Sequence, residues 1–183
     1  QNVVICAASS SVGIAAIQIA NMFGATAIAT TTSAAKVEPL RALGASHVID
    51  VTAGDYLPRI REISSGRGAD IVFDPVGGPM LSEHLEACRP EGWYFLYGLL
   101  DTREMTLPAG PLIGKNLHVR GYTVFTLLQH DQATAAAVHG ISEGLDSGKL
   151  GLHVDRYFPL EETAAAHRYM AANAHLGKII INP

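Results

Sequence analysis

The sequence has few of the features that assign a chain to a specialised class of protein. Its only cysteines are Cys6 and Cys88, too few for a disulfide framework, which favours a reducing, cytoplasmic compartment. No apolar run is as long as a membrane-spanning helix. Charged residues make up 16% of the chain and the net charge is −4, so neither nucleic acid nor a membrane surface is an expected partner.

The chain has 183 residues, of which 48% are hydrophobic, and this suits one domain with a large buried core. It begins at Gln1 without a methionine, and a first strand is predicted from Val3. We therefore expect the chain to be part of a longer protein, with a substrate domain before Gln1.

Predicted strands and helices alternate along the whole sequence. After a first strand at 3–7, strands are predicted at 26–31, 47–50, 69–74, 92–98, 116–121, 154–158 and 178–181. Helices are predicted at 34–43, 56–64, 80–87, 128–147 and 160–172, besides the one that follows the first strand. Such alternation predicts an α/β fold with a doubly wound, mostly parallel sheet. In these sheets ligands bind beyond the carboxyl ends of the strands.

The stretch Val3–Gly24 has the pattern of a strand and a helix joined by a phosphate-binding turn. A short apolar strand leads through small residues into an amphipathic helix, and Gly24 ends that helix. In the dinucleotide fingerprint G-x-G-x-x-G, Ala8, Ser10 and Gly13 occupy the three glycine positions. Small residues let a phosphate approach the backbone at the positive end of the helix, although any parallel α/β domain can open in this way.

The end of the second strand favours NADP over NAD. An NAD site carries an acidic residue about twenty positions after the turn, for the ribose hydroxyls. The sequence has Thr31, Thr32 and Ser33 there, followed by Lys36. A hydroxyl and an ammonium suit a 2′-phosphate, which a carboxylate would repel. The alternative is that Ser33 caps the next helix and Lys36 is solvated.

Together these segments resemble the cofactor domain of the medium-chain dehydrogenase/reductase superfamily, in its zinc-free quinone oxidoreductase-like branch. The resemblance covers nearly the whole chain and rests on segments 7–20, 30–36, 40–50, 68–78, 92–98, 119–125 and 176–183. It implies a Rossmann-type NAD(P)-binding domain over residues 1–183. The last strand, about 176–183, belongs either to this domain or to the absent N-terminal substrate domain. It also implies hydride transfer between NADPH and a quinone, enone or other conjugated carbonyl.

The resemblance further implies which residues bind the cofactor. Ser10, Ser11 and Val12 are expected at the pyrophosphate, and Thr31, Ser33 and Lys36 at the adenosine ribose and 2′-phosphate. Expected near the nicotinamide and its ribose, or closing over the cofactor, are Val76, Tyr97, Gly98, Leu99, Phe125, Asn173 and Lys178. Val51 replaces a tyrosine that relatives often place near the adenine, and Thr32 replaces an arginine, which weakens the expected NADP preference.

No catalytic residue is assigned from the sequence, and no metal site is predicted. The eight histidines do not pair with Cys, His or acidic residues at a ligand spacing. Asp74 ends a strand beside a glycine-rich loop, and we expect it to accept backbone N–H bonds there rather than to act as an acid. In this superfamily, catalytic zinc ligands lie upstream of the first Rossmann strand.

Three other functions stay open. The chain could be the cofactor domain of a zinc-dependent alcohol dehydrogenase, an enoyl-reductase module of a larger synthase, or a non-catalytic nucleotide-sensing Rossmann module. The apolar segment 119–125 is expected at a sheet edge, where it predicts a homodimer. The substrate would be a small molecule.

Overall fold

A computed structural model describes all residues, 1–183. The strands are β1 (Asn2–Ile5), β2 (Thr26–Thr31), β3 (His47–Asp50), β4 (Ala69–Asp74), β5 (Cys88–Leu96), β6 (His118–Gly121), β7 (Val154–Pro159) and β8 (Lys178–Asn182). The helices are α1 (Ser11–Met22), α2 (Val37–Ala42), α3 (Tyr56–Ile63), α4 (Leu81–Ala87), α5 (Ala109–Gly114), α6 (Val124–Leu127), α7 (Asp131–Asp146) and α8 (Thr163–Ala171).

Six of the strands form one sheet in the order β3-β2-β1-β4-β5-β6, and every neighbouring pair is parallel. The order reverses at β1, where the chain crosses from the β1-β2-β3 half to the β4-β5-β6 half. This confirms the predicted doubly wound α/β fold. It also places the turn after β1 at the switch point, where such sheets bind ligands.

Two apolar clusters cover the two faces of this sheet. One contains Val4, Ile28, Val72 and Leu85 among its thirteen buried residues. The other has nine buried members and packs α1 and α2 against β1, β2 and β3. Because both faces are buried, the strands are continuously apolar rather than alternating, as parallel strands usually are.

Several boundaries differ from the sequence predictions. β1 ends at Ile5, so Cys6 is buried just beyond the strand rather than in it. β5 starts at Cys88, before the predicted Gly92, and its register against β4 shifts between Ala69 and Ile71. The helix predicted at 128–147 is α7, which begins three residues later at Asp131, and the short helix α6 that precedes it was not predicted.

β6 forms one edge of the six-stranded sheet, as segment 119–125 was expected to do, although the segment turns into α6 after Gly121. β7 and β8 pair with each other in a separate two-stranded parallel sheet. β8 is therefore not part of the main sheet. No helix of the chain combines the length and the apolar character that a membrane crossing requires.

Gly13 allows the start of α1 to lie against the turn after β1. A Cβ at this position would lie 2.6 Å from both the Cα and the carbonyl oxygen of Ala8. We expect Gly13→Ala to lower the free energy of unfolding by about 3 kcal/mol, because rigid backbone would have to move. Urea denaturation followed by circular dichroism measures this.

Gly140→Ala is the matched control for that substitution. Gly140 lies inside α7, and nothing within 4 Å would meet its Cβ. The added methyl should raise stability by about 0.5–1 kcal/mol through helix propensity. Equal stability of the Gly13 variant and the parent would show that the turn can relax.

Candidate functional site: a cleft at the carboxyl edge of the sheet

The largest set of polar cleft residues lies beyond the carboxyl ends of β1, β2 and β4. This cleft has a volume of about 550 Å³. Five of the residues expected at the cofactor line it, namely Ser10, Thr31, Lys36, Val76 and Asn173. Val51, at the position where relatives often have tyrosine, lines it too. The structure thus brings together residues from distant parts of the sequence.

Ser10 shapes the phosphate turn by capping α1. Its side-chain oxygen accepts a hydrogen bond from the Gly13 N–H at 3.0 Å. This satisfies one of the free N–H groups at the helix start, and the hydroxyl hydrogen stays available to a ligand. Ala7, which also lines the cleft, has a left-handed φ of 47°. The turn can therefore offer backbone N–H groups, a hydroxyl donor and the positive end of α1 to an anion.

Lys36 is a buried cation in the turn that follows β2. Its side chain folds back, and Nζ donates to Ser9 Oγ at 3.1 Å and to Asn173 Oδ1 at 3.3 Å. The residue is 6% exposed and forms no salt bridge. Desolvation lowers the pKa of Lys36, and the charge of Asp155 opposes this shift. The alternative that Lys36 is solvated is wrong.

Ser33 does not cap the following helix through its side chain. Its hydroxyl makes no cap hydrogen bond, and its backbone N–H donates instead to Thr31 Oγ1 at 3.2 Å. Residues 34–36 form a 3-10 turn before α2 begins at Val37. Ser33 does not line the cleft, although Thr32 and Lys36 on either side of it do.

A late loop, residues 172–177, folds over the phosphate turn. The Gly177 N–H donates to the carbonyl oxygen of Ser9 at 2.8 Å. Asp155 holds the loop by accepting from the Leu176 N–H at 3.0 Å and from the Tyr169 hydroxyl at 2.8 Å. Asn173 has a left-handed φ of 51°, and its side chain reaches Lys36. Two sequence-distant segments thus meet around one cation.

Asp74 organises the glycine-rich loop after β4. Its carboxylate accepts from the Val76 N–H at 2.7 Å and the Gly77 N–H at 3.1 Å. The Tyr94 hydroxyl donates to the same carboxylate at 2.6 Å. Burial, followed by this hydrogen bond, raises the pKa of Tyr94. The expectation that Asp74 stabilises the loop is confirmed.

A second cleft of about 650 Å³ lies at the ends of β5 and β6. Gly98 and Leu99 line it, together with Tyr122 and Thr123. Tyr97 does not, because its ring stacks on Phe73 with the centroids 4.0 Å apart. The Tyr97 hydroxyl is buried without a hydrogen-bond partner, and burial raises its pKa.

Four more of the expected cofactor residues lie outside both clefts. Ser11 and Lys178 line a separate small depression beside α1. Val12 is 48% exposed and Phe125 is 72% exposed, and neither lines a cleft in this chain. Their assignment to the cofactor remains a prediction from the resemblance.

Sequence reasoning missed Ser9, Cys6 and His84, which also line the main cleft. Ser9 could have been found as part of the small-residue turn. His84 Nε2 lies 3.5 Å from Cys6 Sγ, across 78 positions of sequence. The sequence analysis considered only ligand spacings along the chain, and no such spacing brings these two residues together. Burial lowers the pKa of His84 and raises that of Cys6.

Comparison with known proteins gives a consistent picture. Residues 11–140 match the family model described as zinc-binding dehydrogenase. Over 188 residues the chain is 35% identical to the 2-haloacrylate reductase of a Burkholderia species, covering 99% of this chain and 55% of the relative.

Two solved structures show the same fold over the whole chain. The quinone oxidoreductase of Pseudomonas syringae pv. Tomato DC3000 superimposes with a TM-score of 0.87 at 26% identity, and the chain covers 57% of it. An NAD-dependent alcohol dehydrogenase has a TM-score of 0.87 at 31% identity, with 51% of it covered. The chain therefore spans about half the length of the relatives it matches.

The contact between Tyr94 and Asp74 should contribute to stability. We expect Tyr94→Phe to lower the free energy of unfolding by about 2 kcal/mol, because a buried carboxylate loses one of its donors. Tyr157→Phe is the matched control, since Tyr157 is 61% exposed and the change should stay within about 0.5 kcal/mol. Urea denaturation of both variants measures this, and equal losses would contradict the proposed role of the Tyr94 hydroxyl.

Proposed function

Because the chain belongs to the zinc-binding dehydrogenase family, we propose that it is the NADP(H)-binding domain of an oxidoreductase. The proposed reaction transfers hydride between NADPH and a quinone, enone or other conjugated carbonyl. The names of two relatives support this substrate class, since a haloacrylate and a quinone each carry a C=C bond conjugated with a carbonyl group. The cofactor would supply the hydride, while the chain binds and orients it.

The observation that carries the cofactor assignment is the buried ammonium of Lys36. It follows β2 shortly after positions 31–33, where an NAD site would have an acidic residue, and only neutral oxygens contact it. A desolvated cation with no carboxylate in contact is stabilised by a bound anion, and a 2′-phosphate is an anion of the right kind. NAD has a free 2′-hydroxyl in place of this phosphate, and the site has no carboxylate to accept a hydrogen bond from it.

The remaining contacts follow the carboxyl edge of the sheet. We place the pyrophosphate at Ser10 and the start of α1, where the capping hydroxyl lies at the positive end of the helix. Val76 then lies under the nicotinamide ribose, and Gly98 and Leu99 lie beside the nicotinamide. This path joins the two clefts on either side of the loop at 97–101.

An alcohol dehydrogenase is the second candidate, because an NAD-dependent one is 31% identical over the whole chain. A catalytic zinc ion does not fit the nicotinamide side of this chain. Among the residues lining the second cleft, only His130 is a usual zinc ligand, and no thiol or carboxylate joins it. Zinc ligands for that chemistry would have to come from outside this chain.

We further propose a cytoplasmic location, supported by the two free, buried thiols. A homodimer through β6 would cover an edge strand whose four residues are all exposed. The Tyr122 N–H bonds to the carbonyl oxygen of Leu96 at 2.9 Å. Because backbone groups alternate along a strand, those of Val119 and Gly121 face away from β5 and are free to pair with a second chain.

Calorimetry with NADPH and with NADH tests the cofactor assignment. We expect NADPH to bind more tightly than NADH. Lys36→Met should weaken NADPH binding by about 10- to 100-fold, because it removes a charge-assisted contact. NADH binding should change by less than about threefold. Lys149→Met, which removes an exposed lysine, is the control and should leave both affinities unchanged.

Three results would contradict this assignment. Binding of neither nucleotide would remove the cofactor site, and tighter binding of NADH would overturn the preference for NADP. An equal loss of both nucleotides in Lys36→Met would show that this ammonium does not meet the 2′-phosphate.

Light scattering at micromolar concentration tests the proposed dimer. The parent chain should have twice the mass of one chain, and Val119→Pro should shift it toward the monomer by removing an outward N–H. Leu152→Lys, at an exposed apolar position outside the strands, should stay dimeric. A monomeric parent chain would refute the assignment of β6 to an interface.

A further inference from the structure

Three metal-binding side chains meet beside the main cleft, which two of them line. Cys6 follows β1, Asp74 ends β4 and His84 lies in α4. One ligand atom from each lies within 4.8 Å of the other two, and each residue is at most 3% exposed. We propose that this cluster binds a divalent transition-metal ion of the zinc class.

The chemistry of the donor set favours such an ion. Thiolate, imidazole and carboxylate are the three side-chain groups that bind zinc, whereas magnesium and calcium prefer oxygen alone. On binding, a metal–sulfur bond forms and the thiol proton of Cys6 passes to solvent. The resulting thiolate and the carboxylate of Asp74 balance the two positive charges, so the buried site becomes neutral.

The distances are close to those of a tetrahedral site. Zinc bonds of about 2.3 Å to sulfur and about 2.0 Å to nitrogen place the two ligand atoms roughly 3.5 Å apart. His84 Nε2 lies 3.5 Å from Cys6 Sγ. The Nε2 to Asp74 Oδ2 distance is 4.0 Å, so the carboxylate closes by roughly 0.6 Å to reach the ion.

Neighbouring hydroxyl groups hold the ligands in place. The Tyr56 hydroxyl lies 2.8 Å from His84 Nδ1, so Nδ1–H can donate to it and leave the Nε2 lone pair toward the cluster. The Tyr94 hydroxyl donates to Asp74 and fixes that carboxylate. Ligating histidines and carboxylates commonly carry such partners.

Without an ion, His84 Nε2 has only weak partners. Apart from Asp74 at 4.0 Å, the partner of the His84 Nε2 lone pair is the Cys6 thiol, a weak donor. Cys6 and His84 line the cleft, so an ion and a water as fourth ligand can enter from it. The site differs from the catalytic zinc of relatives, whose ligands the resemblance places upstream of β1. It does not depend on the proposed cofactor.

Titration of the tag-free, chelator-treated chain with Co²⁺ tests the proposal. We expect one bound equivalent with a thiolate-to-cobalt charge-transfer band in the near ultraviolet, and displacement of the cobalt by Zn²⁺. Cys6→Ala should lose the band. Tyr56→Phe should keep it with about tenfold weaker binding, because only the orientation of His84 is affected.

Cys88→Ser is the matched control, because Cys88 is equally buried but its thiol bonds only to the backbone oxygen of His84. It should keep the band and the affinity of the parent. If Cys6→Ala does not fold, as judged by circular dichroism, His84→Phe replaces it and should bind Co²⁺ at least tenfold more weakly. No charge-transfer band in the parent chain, or its loss in Cys88→Ser, would overturn the proposal.

Discussion

The close approach of α1 to the turn after β1 is the constraint on which the site depends. Gly13 lies so near Ala8 that a Cβ would overlap its backbone. The helix therefore starts beside the cleft, at the reversal of strand order. The two halves of the sheet and the late loop 172–177 are arranged around this turn. A residue larger than glycine would move the helix dipole away from the place where an anion can use it.

The two ends of the cleft differ in whether their buried charge is compensated by protein groups. In the turn after β2, the Lys36 ammonium is buried among neutral oxygens and lacks a countercharge in contact. At the end of β4, the Asp74 carboxylate is saturated by two N–H groups and a hydroxyl. An unpaired buried charge is costly, whereas a fully hydrogen-bonded one is not. The first end is thus poised for a ligand, and the second is a fixed support for the loop.

Local pattern predicted the fold well, because both faces of a parallel sheet demand long apolar strands and each crossover demands a helix. β3 and β4 lie where the sequence predicts them, and the helix stop at Gly24 has the left-handed φ of 67° expected there. β5 starts four residues before the predicted Gly92, because a register shift lets it pair beyond the local pattern. The start of α6, which Thr123 caps, was also not predicted, because a cap has no hydrophobic periodicity.

The candidate site was predictable only where it is local in sequence. The phosphate turn and the missing acid could be read from neighbouring residues, and the family resemblance added positions further along. The partners of Lys36 and the Cys6–His84 contact depend on segments 137 and 78 positions apart. Such contacts are set by how the sheet order brings loops to one edge, which no spacing rule encodes.

Asp74 connects the glycine-rich loop after β4 to the buried cluster that it forms with Cys6 and His84. The same carboxylate holds the Val76 and Gly77 N–H groups and faces His84 Nε2. The oxygen that faces His84 is Oδ2, which already accepts from the Gly77 N–H and the Tyr94 hydroxyl, so an ion at this position would share Oδ2 with those two donors. A cation bound there would draw the carboxylate toward His84 and strain or shorten its bonds to the loop. Occupancy of the cluster and the geometry of the loop are therefore coupled through one side chain, while Lys36, at the far end of the cleft, does not take part in this coupling.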